Sequence, residues 1–356
     1  MLLATGISGA AADWTVQRFE GRDYLPLDQV AAFYGFPQQI APVNNRIGLD
    51  SEKAHIDVTL DSREIMINGV RQWLAFSMHE LDGKVCLSRI DLVKTIEPML
   101  RPELIGNMQR VQTVVLDPGH GGHDKGAYSR FGFEKDFALD VARRARTLLV
   151  QRGINVVMTR DSDVFIPLEE RPQAANRASN SIFVSIHFNS SLFNDAANGF
   201  EVFSLTPRGA PSTEDAALAP HHMLNEPGNA CDVQSAALAG SVYHSLLGNI
   251  PEIDRGLKRA RFAVLRLARV PSILIEGGFL SSPTESQLIA SAAWRNKLAE
   301  AIVTGIENYK NLAEQKQPPK VIAEYRRSAS SNVRLRDLAP HVITNAPPQV
   351  ILPKSE

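Results

Sequence analysis

Cysteine, charge of one sign and long apolar runs are all scarce in this chain of 356 residues. Only Cys86 and Cys231 are present, which is too few for a disulfide framework or an all-cysteine zinc site. The formal net charge is −1, so the basic surface typical of nucleic-acid-binding proteins is not indicated. No run of about 18 apolar residues occurs, so no segment is predicted to span a membrane. The composition therefore predicts an ordinary globular protein.

Several common catalytic and cofactor signatures are also missing. The chain has no GxSxG turn for a serine nucleophile, and neither cysteine stands in a catalytic context. It has neither GxGxxG nor GxxxxGK[ST], so a nucleotide-binding loop is only weakly supported.

The length predicts two domains. Residues 15–105 read as a small β-rich α+β domain, because apolar and polar residues alternate and Asn68-Gly69 is typical of a hairpin turn. Residues 112–310 read as a second, larger domain, which contains the chemically active motifs described below. Residues 1–14 are either a signal-peptide remnant or a frayed N-terminus, and the proline-containing tail 311–356 is expected to be disordered.

The stretches GRDYLPLDQV (Gly21–Val30) and GKVCLSRIDLV (Gly83–Val93) form a weak repeat, each with a short strand before a helix start. This part resembles the copper amine oxidase N-terminal-like domain. No copper is implied, because no ligand cluster is present, and His55 and His79 are interpreted as surface or packing residues. We expect this region to regulate the domain that follows or to bind the same substrate.

From Gln112 onwards, short apolar runs alternate with helical patterns, which predicts an α/β fold. We expect a three-layer α/β/α domain with a mostly parallel or mixed central sheet. The predicted strands are Thr113–Asp117, Asn155–Thr159, Ser181–His187, Gly199–Leu205 and Ser272–Glu276. The predicted helices are Phe137–Arg152, Asp232–Leu247 and, in two pieces, Thr284–Tyr309.

Histidine and glutamate residues stand where these predicted elements begin or end. His120 follows the first strand within VVLDPGHGGHDKGA, and His187 and Glu276 end two apolar strands. Glu134 stands at the start of a helical pattern, where it also suits the helix dipole. Because ligands bind beyond the carboxyl ends of strands, two histidines and two glutamates are expected to share one edge of the sheet. Such a group would provide two imidazoles and one carboxylate for zinc, with one carboxylate left over.

The segment from Val114 to Tyr309 resembles the zinc-dependent N-acetylmuramoyl-L-alanine amidases of the amidase-3 family. The motifs that carry the resemblance, in order, are DPGHGGHDKGA, GFEKDFALDVA, MTRDSD with a later Arg171 and Asn176, SIHFN, GFEVFSL, RFAVLR and IEGGFLSSPTE. The resemblance implies that His120, Glu134 and His187 ligate one zinc ion and that Glu276 is the catalytic carboxylate.

The implied reaction is hydrolysis of the amide bond between N-acetylmuramic acid and the L-alanine of the peptidoglycan stem peptide. Zinc-activated water would attack the carbonyl, with Glu276 as general base and then general acid. Because this substrate lies outside the cytoplasmic membrane, we expect the protein to be exported to the periplasm or cell wall. Two alternatives remain open: a zinc exopeptidase of related fold, and a peptidoglycan-binding module without turnover, against which the retained Glu276 argues.

Further residues are candidates for the substrate groove or for support of the metal ligands. Asp117 either orients His120 or caps the turn. Asn189 is a candidate for lining the groove, and Arg266 either meets a stem-peptide carboxylate or forms a surface salt bridge. His123 is interpreted as a rim residue rather than a ligand.

The connection from Thr206 to Asp232 is long enough to be a lid or binding loop, although a solvated loop is the simpler interpretation. Its four prolines limit any helix to a turn or two, so a long blocking helix is not predicted. The possible plug residues are Glu214 and Glu226, and the possible groove residues are His221, His222 and Glu226. We therefore expect an enzyme that is constitutively open or regulated by its N-terminal domain.

Overall fold

The computed structural model describes residues 14–36, 45–52, 54–191 and 197–315. Of the two predicted terminal segments, only Trp14 and residues 311–315 fall within this range; the remainder lies outside the described residues. Within the described part of the chain, no helix has the length and apolar character needed to cross a bilayer.

The N-terminal part is small and β-rich, as predicted. Its elements are β1 (Gln17–Phe19), β2 (Arg22–Pro26), α1 (Leu27–Tyr34), β3 (Arg46–Asp50), β4 (His55–Thr59), β5 (Glu64–Ile67), β6 (Val70–Trp73), β7 (His79–Leu81), β8 (Lys84–Ser88), α2 (Arg89–Asp91) and α3 (Glu97–Leu100). The predicted repeat corresponds to β2–α1 and β8–α2, and β2 pairs antiparallel with β8. Asn68 and Gly69 both have positive φ and form the tight turn between β5 and β6.

The remaining described chain alternates strands and helices. Its elements are β9 (Thr113–Pro118), β10 (Tyr128–Ser129), β11 (Gly132–Phe133), α4 (Glu134–Gln151), β12 (Asn155–Met158), α5 (Gln173–Arg177), β13 (Ser181–Asn189), β14 (Phe200–Leu205), α6 (Asp232–Asn249), β15 (Asp254–Ala260), α7 (Ala263–Arg266), β16 (Ser272–Phe279), α8 (Pro283–Ala290) and α9 (Ala292–Ala313). Every predicted strand is present. The sequence analysis did not identify β15, because its charged residues interrupt the apolar pattern.

One sheet of ten strands runs through both parts, in the order β12-β9-β13-β16-β14-β15-β6-β5-β4-β3. Strands β12, β9, β13 and β16 are mutually parallel, whereas β14 runs antiparallel to β16. The predicted mixed α/β fold is therefore confirmed. The N-terminal strands join this sheet through β6, which pairs with β15 at Gln72 and Leu257.

The two faces of the sheet are covered differently. Helices α4, α6 and α9 pack against one another and against one face, with Val114 and Leu116 of β9 in their core. On the other face, Val115 belongs to a smaller cluster with residues of the short helices α5 and α7. Side chains alternate along a strand, so His187 and Glu276 share the second face with Phe183 and Leu274.

Candidate metal centre

His120, Glu134 and His187 converge at the carboxyl ends of β9 and β13. Their potential ligand atoms all lie within 4.8 Å of one another. The His120 Nε2 atom is 3.0 Å from Glu134 Oε2, and the His187 Nδ1 atom is 2.9 Å from Glu134 Oε1. Glu134 is the first residue of α4 and is buried. Two imidazoles and one carboxylate thus provide a donor set that suits zinc.

Two glycines of the His120 loop allow the side chains of His187 and Glu134 to come close to the loop backbone. A Cβ atom at Gly119 would lie 2.3 Å from the His187 ring, and one at Gly126 would lie 2.5 Å from Glu134 Oε2. Gly126 also has a φ of +65°. The loop therefore contains glycine where a side chain would occupy the centre.

The charges of the centre suit a cation. Burial raises the pKa of the Glu134 carboxyl, but hydrogen bonds and charge from His120 and His187 outweigh it and hold this pKa far below its usual value. Burial lowers the pKa of His120, whereas its hydrogen bonds to Asp124 and Glu134 raise it to about 10. An imidazole binds a metal through an unprotonated nitrogen, so a metal would compete with protons at His120.

Asp124 supports His120 from the side away from Glu134. Its Oδ2 atom is 2.8 Å from His120 Nδ1, and its Oδ1 atom accepts a hydrogen bond from the Gly126 N–H at 3.1 Å. A carboxylate in this position fixes the tautomer and orientation of a ligating histidine. This role was not predicted from the sequence, although Asp124 stands only four residues after His120 in the same loop.

Glu276 lies beside this group on β16, with His187 and Glu201 as its partners on the two flanking strands. Its Oε2 atom is buried and has no hydrogen-bond partner among the described residues. Burial, with the nearby negative charges of Glu134 and Glu201, raises the pKa of Glu276 well above its usual value. Glu276 is thus the carboxyl group at this centre best suited to accept a proton.

Next to Glu276 in the sheet, β14 and β15 contribute a group of charged residues. Buried Glu201 accepts hydrogen bonds from Arg255 Nε and, at 3.1 Å, from Lys258 Nζ. Lys258 Nζ also donates to Glu214 Oε1 at 2.8 Å. The sequence analysis identified neither Glu201 nor Lys258, because their pairing joins residues 57 positions apart.

Asp117 makes no hydrogen bond to the His120 side chain among the described contacts. It is fully buried and accepts hydrogen bonds from Thr159, Ser185 and Arg171. Arg171 also donates to the carbonyl of His120 at 2.9 Å. Asp117 is therefore connected to the turn of His120 through Arg171, and its role there stays a prediction.

The other predicted groove residues lie at different distances from the centre. Asn189 Nδ2 is 3.5 Å from Glu201 Oε2, which places Asn189 beside the cross-strand pair of Glu201 and Glu276. Arg266 lies 3.4 Å from Glu226 and donates to the Arg261 carbonyl, so it belongs to an ion pair with the Thr206–Asp232 connection. The ring of His123 packs at 4.3 Å from that of Phe165, outside the ligand group.

The Thr206–Asp232 connection contains two short helical turns, at Pro220–Met223 and Pro227–Cys231, and no long helix. Its Glu214 and Glu226 pair with Lys258 and Arg266 rather than with the metal-ligand candidates.

A second cluster in this connection has three groups with metal-ligand atoms, Asp215, His221 and His222. However, His222 Nδ1 accepts a hydrogen bond from the Ala219 N–H, so its Nε2 carries the proton and donates to Asp215. This tautomer leaves His222 without a free lone pair for a metal.

Comparison with known proteins identifies relatives of this chain. Residues 114–308 match the family model Amidase_3, described as N-acetylmuramoyl-L-alanine amidase. This range includes His120, Glu134, His187 and Glu276. The N-acetylmuramoyl-L-alanine amidase AmiA of Escherichia coli K12 is 33% identical over 251 residues, covering 63% of this chain and 84% of AmiA. The amidase AmiC of Neisseria meningitidis is 35% identical over 233 residues, covering 60% of this chain and 56% of that relative.

Among solved structures, the amidase AmiC2 of Nostoc punctiforme has 36% sequence identity and a TM-score of 0.47. The match covers 55% of this chain and 96% of that structure.

Proposed function

Because this chain belongs to the N-acetylmuramoyl-L-alanine amidase family, we propose that its metal centre performs the family's hydrolysis of peptidoglycan. The bond cleaved joins the lactyl carbonyl of N-acetylmuramic acid to the amine of L-alanine. The observation that supports the assignment most directly is the position of buried, unpartnered Glu276 Oε2 beside the His120–Glu134–His187 group.

His120, Glu134 and His187 are the residues that would hold one zinc ion. The donor set fits, since both imidazoles and the carboxylate converge and Asp124 supports the ring of His120. When bound, zinc supplies Lewis acidity that lowers the pKa of water and polarises a carbonyl group.

Glu276 then moves the proton. Its Oε2 accepts a proton from the attacking water, and its raised pKa makes it a stronger base than an ordinary glutamate. The same carboxyl group donates that proton to the departing L-alanine nitrogen, so one residue serves as base and then as acid. Buried Glu201 is paired with Arg255 and Lys258, and its negative charge contributes to the raised pKa of Glu276.

The likeness of residues 15–105 to the copper amine oxidase N-terminal-like domain stays a prediction, because the family match begins at residue 114. We also propose export to the periplasm or cell wall, where the substrate lies.

The decisive experiment is mass spectrometry of the soluble products released from purified sacculi. Zinc-loaded protein is compared with chelator-treated protein and with Glu276→Gln; exposed Glu300→Gln is the matched control. We expect free stem peptides beginning with L-alanine from the wild type and the control. Glu276→Gln should be between about 100-fold and 10,000-fold slower at equal zinc content.

Two results would contradict the proposal. Release of single amino acids from a peptide terminus would favour an exopeptidase. Sedimentation of the zinc-loaded wild type with sacculi, without any separation of peptide from sugar, would favour a binding module.

A further inference from the structure

The two sides of the metal centre differ in chemistry. In the sheet order, β12 and β9 lie on one side of the His187–Glu276 pair, and β14 and β15 lie on the other. The β14–β15 side contains the charged residues Glu201, Arg255 and Lys258. The segments that follow β9 and β12 present exposed aromatic residues instead.

We name these residues the aromatic rim: Tyr128, Phe131, Phe133 and Phe165. They are the exposed Phe, Tyr and Trp side chains among the described residues, and Tyr128 is 74% exposed. Tyr128 and Phe133 are cross-strand partners in the β10–β11 hairpin, so they share one face of it. An exposed apolar group concentrated in two segments is typical of a binding surface.

The aromatic rim is continuous with the centre. Phe133 directly precedes Glu134, and the Ala127 N–H donates to Glu134 Oε2 at 2.8 Å. On the second segment, Phe165 packs against His123, three residues after His120, with ring centroids 4.3 Å apart. Both segments of the rim therefore lie next to residues of the loop and helix that carry His120 and Glu134.

The substrate has two ends that match these two sides. Its glycan strand offers pyranose rings with apolar C–H faces, which stack favourably on aromatic rings through dispersion and weak C–H contacts. Its stem peptide offers amides and carboxylates, which suit the polar β14–β15 side, where the Arg255 side chain is partly exposed.

We propose that the aromatic rim is the binding site for the glycan strand, and that the stem peptide extends towards β14 and β15. This inference rests on the proposed amidase function. It assigns the sugar of the cleaved bond to the β9–β12 side of the centre.

The test measures binding in the Glu276→Gln background, in which turnover should be at least about 100-fold slower. The two probes are peptide-free glycan strands and sugar-free stem peptides. Tyr128→Ala and Phe165→Ala should each raise the Kd for glycan by at least about tenfold, as expected when a central aromatic contact is truncated. Leu224→Ala removes an exposed apolar side chain outside the rim and should leave this Kd unchanged.

Zinc content and Tm of each variant establish that the centre and fold are intact. An unchanged glycan Kd in both rim variants would overturn the proposal, as would a loss of affinity for stem peptide alone. A shift from dimer to monomer in sedimentation, without a change in glycan binding, would make the rim a protein interface. Failure of the proposed function is distinguishable, because it appears in the parent enzyme as absent stem-peptide release from sacculi.

Discussion

The side chain and the backbone of His120 are each held by a different residue. Asp124 bonds to the imidazole Nδ1, and Arg171 donates to the carbonyl oxygen. Arg171 is itself bonded to Asp117 within the protein, so the turn carrying His120 is tied to β9. These contacts explain how a loop with four glycines presents a ligand candidate in one orientation.

Asp124→Ala should weaken zinc binding by about 10- to 100-fold, because the ring of His120 loses the carboxylate that orients it. The measurement is competition for zinc against a chromophoric chelator. Asp161→Ala is the matched control, since Asp161 pairs with Arg143 and Arg146 on the surface. Equal zinc affinity in the two variants would show that Asp124 does not support the ligand.

Gly126→Ala should lose zinc, because the new methyl group would lie 2.5 Å from Glu134 Oε2. Gly153→Ala is a close control: Gly153 also has a positive φ, +74°, but a Cβ atom there meets nothing within 4 Å. Both variants should lose about 1 kcal/mol of stability from backbone strain. Metal analysis of the purified variants should find zinc in Gly153→Ala alone, and full zinc content in Gly126→Ala would refute the steric argument.

At the scale of elements, the apolar pattern predicts β9, β13 and β16 well because these strands are buried on both faces. The same reasoning fails at β15, whose sequence DRGLKRA is dominated by charge. Its Lys258 is nonetheless buried, because it is paired with Glu201. A pattern of polarity cannot reveal such pairing, since the partner lies on another strand. The metal-ligand candidates were recognisable from the sequence because each of them lies within a short, continuous motif.

Helix α6 carries a histidine whose burial should make stability depend on pH. Burial lowers the pKa of His244 to about 4, against about 6.5 in the unfolded chain. Between these pH values, the unfolded state binds the proton and the native state does not. The free energy of unfolding should therefore fall by up to about 3 kcal/mol as the pH drops from 6.5 to 4.

This contribution is measured as the difference between wild type and His244→Phe, both metal-free, in denaturant titrations across that pH range. The comparison cancels the titration of His120 and other shared groups. The variant should lose less stability than the wild type on acidification. Parallel pH profiles for the two proteins would contradict the prediction.

At the scale of the whole molecule, the N-terminal part contacts the part that matches the amidase family through more than the shared sheet. Arg63 donates to the carbonyls of Ser212 and Asp215 at 3.0 and 2.9 Å. Trp73 packs where a Cβ atom at Gly256 would lie, 2.5 Å from its ring. The sequence analysis treated the two parts as separate domains, because no local pattern indicates which strand edges will pair.

We predict that the full chain unfolds by heat in one cooperative transition, since neither part can melt without exposing the β6–β15 edge. Calorimetry provides the measurement: the calorimetric and van't Hoff enthalpies should agree. Trp73→Ala should lower the Tm while keeping a single transition. Two resolved transitions in the wild type would show that the parts are thermally independent.

Mechanical load would act on the β6–β15 junction differently from heat. When the chain is pulled at Trp14 and Ala313, the sheet should separate first at the strand pair that shares the fewest backbone hydrogen bonds. The β6–β15 junction is such a strand pair, because only Gln72 and Leu257 are paired across it among the described residues. A chain stretched in single-molecule experiments should therefore separate there before β9, β13 and β16 shear, so that a protein that melts in one step would extend in two.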